Sequence, residues 1–221
     1  MDSNEVVLSK KEILGQIIKN SFQAVPVVGG VLAVAIDTYF GIKQENQLRR
    51  IEKFFVELIP DIEQLEDRMA SLESHDKSKL VAIIEEFIED LESYQSNQKL
   101  QYFKTYFKNT LIFPINENYD DRRFFLNSLN LITDLESDIL ISLNTHHNGY
   151  VYTNINDFMP NIEISRKIGA IGRLKNLGFL TSITPIPLTF SGEITIDDRQ
   201  QRVKITDFGL SFVDFCIKEI E

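Results

Sequence analysis

Hydrophobic residues recur along most of this chain at steps of three and four, which marks helices that bury one face. Leu8 to Ala24 places Ile13, Leu14, Ile17, Ile18 and Phe22 on one side. Leu48, Ile51, Phe55, Leu58, Ile62, Leu65, Met69 and Leu72 fall at the a and d positions of a heptad pattern. Phe54 and Ile59 widen that stripe, which suits a bundle better than a two-stranded seam. Pro60 interrupts it, since proline removes a helical hydrogen bond. The stripe keeps its phase across Pro60, so one kinked, continuous helix is favoured over two. Lys79 to Tyr94 is amphipathic, with Leu80, Ile83, Ile84, Phe87, Ile88 and Leu91 inward. Leu100 to Ile112 carries Tyr102, Phe103, Tyr106 and Phe107 as a core stripe, with Lys99, Lys104 and Lys108 on the wet side. Asp121 to Asn144 reads as a further long helix.

The pattern changes in the last third. Thr153 to Phe158 suggests a short helix, with a possible piece of strand near Tyr150 to Thr153. A periodic helix from Asn161 to Leu177 ends at Gly178. An extended run, Phe179 to Thr184, leads to a Ser191-Gly192 turn and an alternating stretch from Glu193 to Ile205. A last helix opens at Thr206-Asp207-Phe208-Gly209. This order predicts a mainly α protein. An N-terminal helical bundle over residues 1–149 precedes a C-terminal winged-helix module, helix-turn-helix plus β-hairpin, over 150–221.

One stretch breaks the periodicity. Ala24 to Ile36 contains no polar side chain. Its 13 residues fall short of the roughly 17–25 needed to cross a bilayer. A helix buried on all sides is expected, with Gly29 and Gly30 allowing close approach of another backbone. The alternative is a hairpin, Leu8 to Phe40, that enters a membrane after a conformational change. Val27, Val28, Gly29, Gly30, Val31 and Leu32 are therefore candidates for helix packing or peripheral membrane contact. The glycine pair lacks the following Lys-Ser/Thr of a phosphate loop.

The formal charge is -10, which excludes a general nucleic-acid binder, because phosphate binding rests on Lys and Arg. From Tyr150 onward, however, eight Lys/Arg stand against nine Asp/Glu, so the acidic excess belongs to the first 149 residues. Between Ile164 and Leu177 there are four positive charges and no acid. In a winged helix this segment lies in the DNA major groove. Arg166, Lys167, Arg173 and Lys175, with Arg199 and Arg202 near the wing, are thus DNA-binding candidates. The heptad residues Leu48, Ile51, Phe55, Leu58, Ile62 and Leu65 are candidates for an oligomer seam.

Catalytic and metal chemistry find little support in the sequence. Glu85, Glu86, Glu89, Asp90 and Glu92 lie mostly off the apolar stripe of their helix, as a solvated face does. His146 and His147 are adjacent and read as a surface turn, and His75 is the remaining histidine. No metal, cofactor or catalytic residue is expected. The lone Cys216 cannot form an internal disulfide, which favours a reducing compartment. The acidic N-terminus is unlike a signal peptide, so a cytoplasmic protein is expected.

The run Leu174-Lys175-Asn176-Leu177-Gly178-Phe179-Leu180, followed by a hairpin and Ile205-Thr206-Asp207-Phe208-Gly209-Leu210-Ser211-Phe212-Val213, resembles an L-x-x-L-G-hydrophobic … T-x-x-G-x-x-F ending. That ending is found in bacterial winged-helix regulators and in helical proteins of the Abi-alpha type, linked to abortive infection and phage resistance. The layout, a long helical region before this ending, is similar to the second group over about 40 motif residues. The resemblance carries no catalytic residues with it. Taken with the heptad stripe Leu48 to Leu72 and the apolar segment Ala24 to Ile36, it leads to the expectation of a non-enzymatic interaction protein of phage defence whose helical region makes protein or membrane contacts, the protein partner being another chain or a second copy, as a homo-oligomer. The alternative is a DNA-binding regulator whose helical region dimerises or senses a signal.

Overall fold

The computed structural model describes residues 45–70, 74–91, 96–147, 151–183 and 201–219, and within these no side chain at 45–50, 52, 59, 63, 66, 146 or 147. The described chain is mostly helical with one small antiparallel sheet. It divides into two compact units, one up to Asn130 and one from Leu131 to Glu219. The sequence boundary was expected at 149/150, so the helix before it falls in the second unit.

The first unit contains α1 (Glu45–Gln64), a 3-10 turn (Glu66–Arg68), α2 (Lys77–Asp90), α3 (Asn97–Ile112) and α4 (Tyr119–Leu131) except its last residue, which belongs to the second unit. α1 runs unbroken through Pro60, as the phase of its stripe predicts, but stops at Gln64 rather than Leu72. Asp76 and Ser96 start α2 and α3 by accepting backbone N–H groups of the first turn. Six aromatic rings form the centre. Phe54 and Phe55 from α1, Phe87 from α2, and Phe103, Tyr106 and Phe107 from α3 meet at centroid distances of 4.9 to 6.0 Å. Four of the seam candidates, Ile51, Phe55, Leu58 and Ile62, are fully buried in this core. That corrects the oligomer reading, since a stripe buried within its own unit is not open to a second copy. Leu65 is half-buried, and the Leu48 side chain lies outside the described residues.

Two lysines of this unit also turn inward. Lys104 is buried, not wet, with its Nζ 2.9 Å from Glu57 Oε2, and Lys108 Nζ lies 3.3 Å from Asp61. The hydrogen bond from Lys104 holds the Glu57 carboxyl below its ordinary range. His75 is buried, and its Nδ1 accepts the Ile115 N–H at 3.2 Å. Burial lowers its pKa, so it is neutral at neutral pH.

Asp90 on α2 behaves in the opposite way. Burial, then the neighbouring Glu86 and Glu89 carboxylates, push its pKa to about 6, while a hydrogen bond from Asn130 Nδ2 at 3.0 Å opposes the shift. Below pH 3.8 both folded and unfolded chains keep this proton. Between there and about 6 only the folded chain keeps it, and above about 6 the folded state carries the full penalty. Asp90→Asn is therefore expected to stabilise the protein at pH 7.5 by about 1 kcal/mol, a figure discounted for its half-open position. At pH 3.5 the substitution should have no effect. Urea unfolding at the two pH values checks this, and an equal gain at both would remove ionisation as the cause.

The second unit contains α5 (Asp134–His147), β1 (Thr153–Asn154), α6 (Ile164–Asn176), β2 (Leu180–Ile183), β3 (Arg202–Ile205) and α7 (Asp207–Phe212), which continues as a π turn (Val213–Ile217). The sheet order is β1-β3-β2, with Thr153 opposite Val203 and Leu180 opposite Ile205. The helix expected over 121–144 is two helices. Thr133 and Glu136 form a capping box that starts α5: Glu136 Oε2 accepts the Thr133 N–H at 2.6 Å, and Thr133 Oγ1 accepts the Glu136 N–H at 3.3 Å. Thr153 to Phe158 is a two-residue strand and a turn, not a helix.

The glycine-rich ending is a structural lock. Gly178 takes φ 77° and closes α6. Phe179 then offers its carbonyl to the Thr206 N–H at 3.0 Å. The Thr206 hydroxyl lies 2.6 Å from the Gly178 carbonyl oxygen and caps α7 by accepting the Gly209 N–H at 2.9 Å. Phe212 stacks on Phe179 at 4.3 Å. Cys216, the single thiol of the chain, is fully buried in the π turn beyond.

Candidate functional site

α6 carries the cations that sequence reasoning assigned to DNA. Its buried face is Lys167, Ala170, Ile171 and Leu174, with Ile164 and Ile168 only half-buried. Lys167 is 3% exposed. Its Nζ donates to the carbonyls of Ile155 at 2.8 Å and Phe158 at 3.2 Å, and stands 5.7 Å from the Phe158 ring centre. Its assignment as a DNA contact is therefore corrected: the ammonium is an internal pin. Arg173 stays partly open, but its Nε lies 3.0 Å from Glu136 Oε1 and its guanidinium donates to the Leu131 carbonyl.

Arg166 and Lys175 are exposed. At about 100° per residue, Arg166 and Arg173 share one flank of α6, and Lys175 is turned about 160° from Arg173. Between these flanks the outward surface is Ser165, Gly169, Gly172 and Asn176. Among the described residues a Cβ built on either glycine meets nothing within 4 Å, so their packing gives no reason for glycine at 169 or 172. Arg202 is exposed at the start of β3, and Arg199 lies outside the described residues. The six apolar candidates from Val27 to Leu32 lie outside them as well. Among the described residues no helix is long and apolar enough to cross a membrane. Among those residues, too, no group of three His, Cys, Asp or Glu could hold a metal ion.

A second feature escaped sequence reasoning. A cleft of about 330 Å³ opens beside the sheet, lined by Leu143 of α5, the segment Val151 to Asn154, Asp157, Phe158 and Arg202. The turn beneath it is heavily restrained. Asn154 accepts the Asn156 N–H on its side chain and the Asp157 N–H on its carbonyl, both at 2.9 Å. Ile155 N–H donates to the Gln201 carbonyl at 3.1 Å, and Lys167 pins the turn from within. Met159, which follows, is held at φ 52°, a left-handed conformation uncommon outside glycine. The sequence signal was the Asn154-Ile155-Asn156-Asp157 run, whose Asn at the first position suits such a turn.

Compared with protein families, curated proteins and solved structures, this chain has no match.

Proposed function

We propose that this is a non-enzymatic, cytoplasmic interaction protein whose C-terminal unit is a winged-helix module used for protein contact rather than for reading DNA. The succession α5, β1, α6, β2, β3, with β3 between the other two strands, supports the winged-helix assignment. In that assignment α6 is the helix that would enter a groove.

The state of α6 carries the reading. One of its four cations is buried on backbone carbonyls, a second is paired with Glu136, and the remaining two stand on opposite flanks. The outward centre consists of Ser165, Gly169, Gly172 and Asn176. Base readout relies on long donor and acceptor side chains such as Arg, Lys, Asn and Gln, and two of these four positions have no side chain at all. Each glycine costs the helix about 1 kcal/mol relative to alanine. A surface that needs another protein to approach closely accounts for that cost, whereas packing among the described residues does not. The similarity of layout to Abi-alpha-type proteins supports a place in phage defence.

Mobility shift with genomic DNA fragments at low and moderate salt tests the choice between partners. No sequence-selective retention is expected at micromolar protein. Salt-sensitive, selective shifts that vanish in Arg166→Ala combined with Lys175→Ala would replace this reading with a DNA-binding regulator. The defence role is checked separately by phage plating on cells that express the chain, with unchanged plaque numbers across a broad panel counting against it.

A further inference from the structure

The cleft beside the sheet presents two opposite charges that do not meet. Arg202 and Asp157 both line it, and both are exposed at its rim. Among the described residues, neither side chain makes an ion pair or a hydrogen bond, with the other or with any third group. Tyr152 adds a phenol to the rim, 37% exposed and likewise without a hydrogen bond among the described residues. The lining is of mixed polarity: Thr153 and Asn154 stand beside Leu143 and Phe158, and both of these apolar side chains are buried. Phe158 is fixed there by the Lys167 ammonium on its carbonyl, and the same pinned turn presents Asp157.

We propose that this cleft binds a small zwitterion, an α-amino acid. Its carboxylate pairs with Arg202 and its ammonium with Asp157. The two charges select this class by elimination. A simple anion meets repulsion from Asp157, and a simple cation meets repulsion from Arg202. A nucleotide, with several negative charges, suffers the first penalty more than once. The volume of about 330 Å³ lies at the small end of ligand cavities, which suits a single amino acid rather than a larger compound. The pre-set turn adds to affinity, because little ordering remains to be done on binding. None of the cleft residues belongs to the outward face of α6, so this site and the protein-contact reading stand or fall separately.

Isothermal titration of the full chain with L-leucine and L-phenylalanine tests the proposal, beside 3-phenylpropionate and phenethylamine, which each retain one of the two charges. The amino acids are expected to bind and the singly charged analogues to bind about tenfold or more weakly, the usual loss when a charged hydrogen-bond partner is missing. Asp157→Asn and Arg202→Gln should each weaken amino-acid binding by about tenfold. Both positions are exposed, so circular dichroism should show intact folding, and Arg166→Ala should bind as the parent does. Absence of heat and of any thermal shift with either amino acid at millimolar concentration overturns the proposal. So does equal binding of the analogues, or undiminished binding by both rim variants.

Discussion

Alanine at position 209 is expected to destabilise the C-terminal unit by about 3 kcal/mol or more, at the upper end for overpacking. A Cβ there runs into the Phe179 carbonyl oxygen, and comes within 2.9 Å of Ile205 Cγ2 and 3.0 Å of the Phe179 carbonyl carbon. Two of these are backbone atoms of a residue that already bonds Thr206 and stacks on Phe212, so they cannot move aside cheaply. Gly178→Ala is the natural comparison. It meets only Phe208 at 3.9 Å but must adopt φ 77°, which costs about 1–2 kcal/mol. Urea unfolding followed by circular dichroism should rank parent, Gly178→Ala and Gly209→Ala in that order of falling stability. A Gly209→Ala protein as stable as the parent would mean that the close approach of α7 to Phe179 is wrong.

Lys167→Met should cost about 3 kcal/mol. Methionine fills much of the same space but leaves the Ile155 and Phe158 carbonyls without the donor they now share. Arg166→Ala, one residue earlier and exposed, should lie within about 0.5 kcal/mol of the parent. The pair separates the two roles a basic residue on α6 can have. If Lys167 faced a nucleic acid, its loss would leave stability untouched and lower affinity. Equal stabilities for the two variants would return it to the list of surface cations.

The order of elements was readable because burial imposes its period on the sequence, and most expected helices of the described chain appear close to where that period places them. Its limits are instructive. The period continued from α4 into α5, which hid the break at Ile132 and Thr133, although Thr133-x-x-Glu136 is itself a helix-start signal. The heptad stripe of α1 was genuine, but the spacing of a seam between chains and of a core within one chain is the same. What decided was the aromatic cluster supplied by α2 and α3. Lys167 was misplaced because its partners are carbonyls of a turn nine to twelve residues earlier, and a local pattern scores lysine as surface. Arg173 was undecidable for a similar reason: Glu136 lies on another helix. The T-x-x-G-x-x-F run, in turn, proved to encode a cap, a close approach and a ring stack, which is architecture rather than chemistry.

The burial of Cys216 gives the molecule a built-in clock. It is the single thiol of the chain and has no exposed surface, so a thiol reagent added in excess can react only when the C-terminal turn opens. The rate of labelling then reports how often that end of the molecule comes apart under native conditions, without any introduced dye. Dependence of that rate on reagent concentration distinguishes brief openings from slow ones.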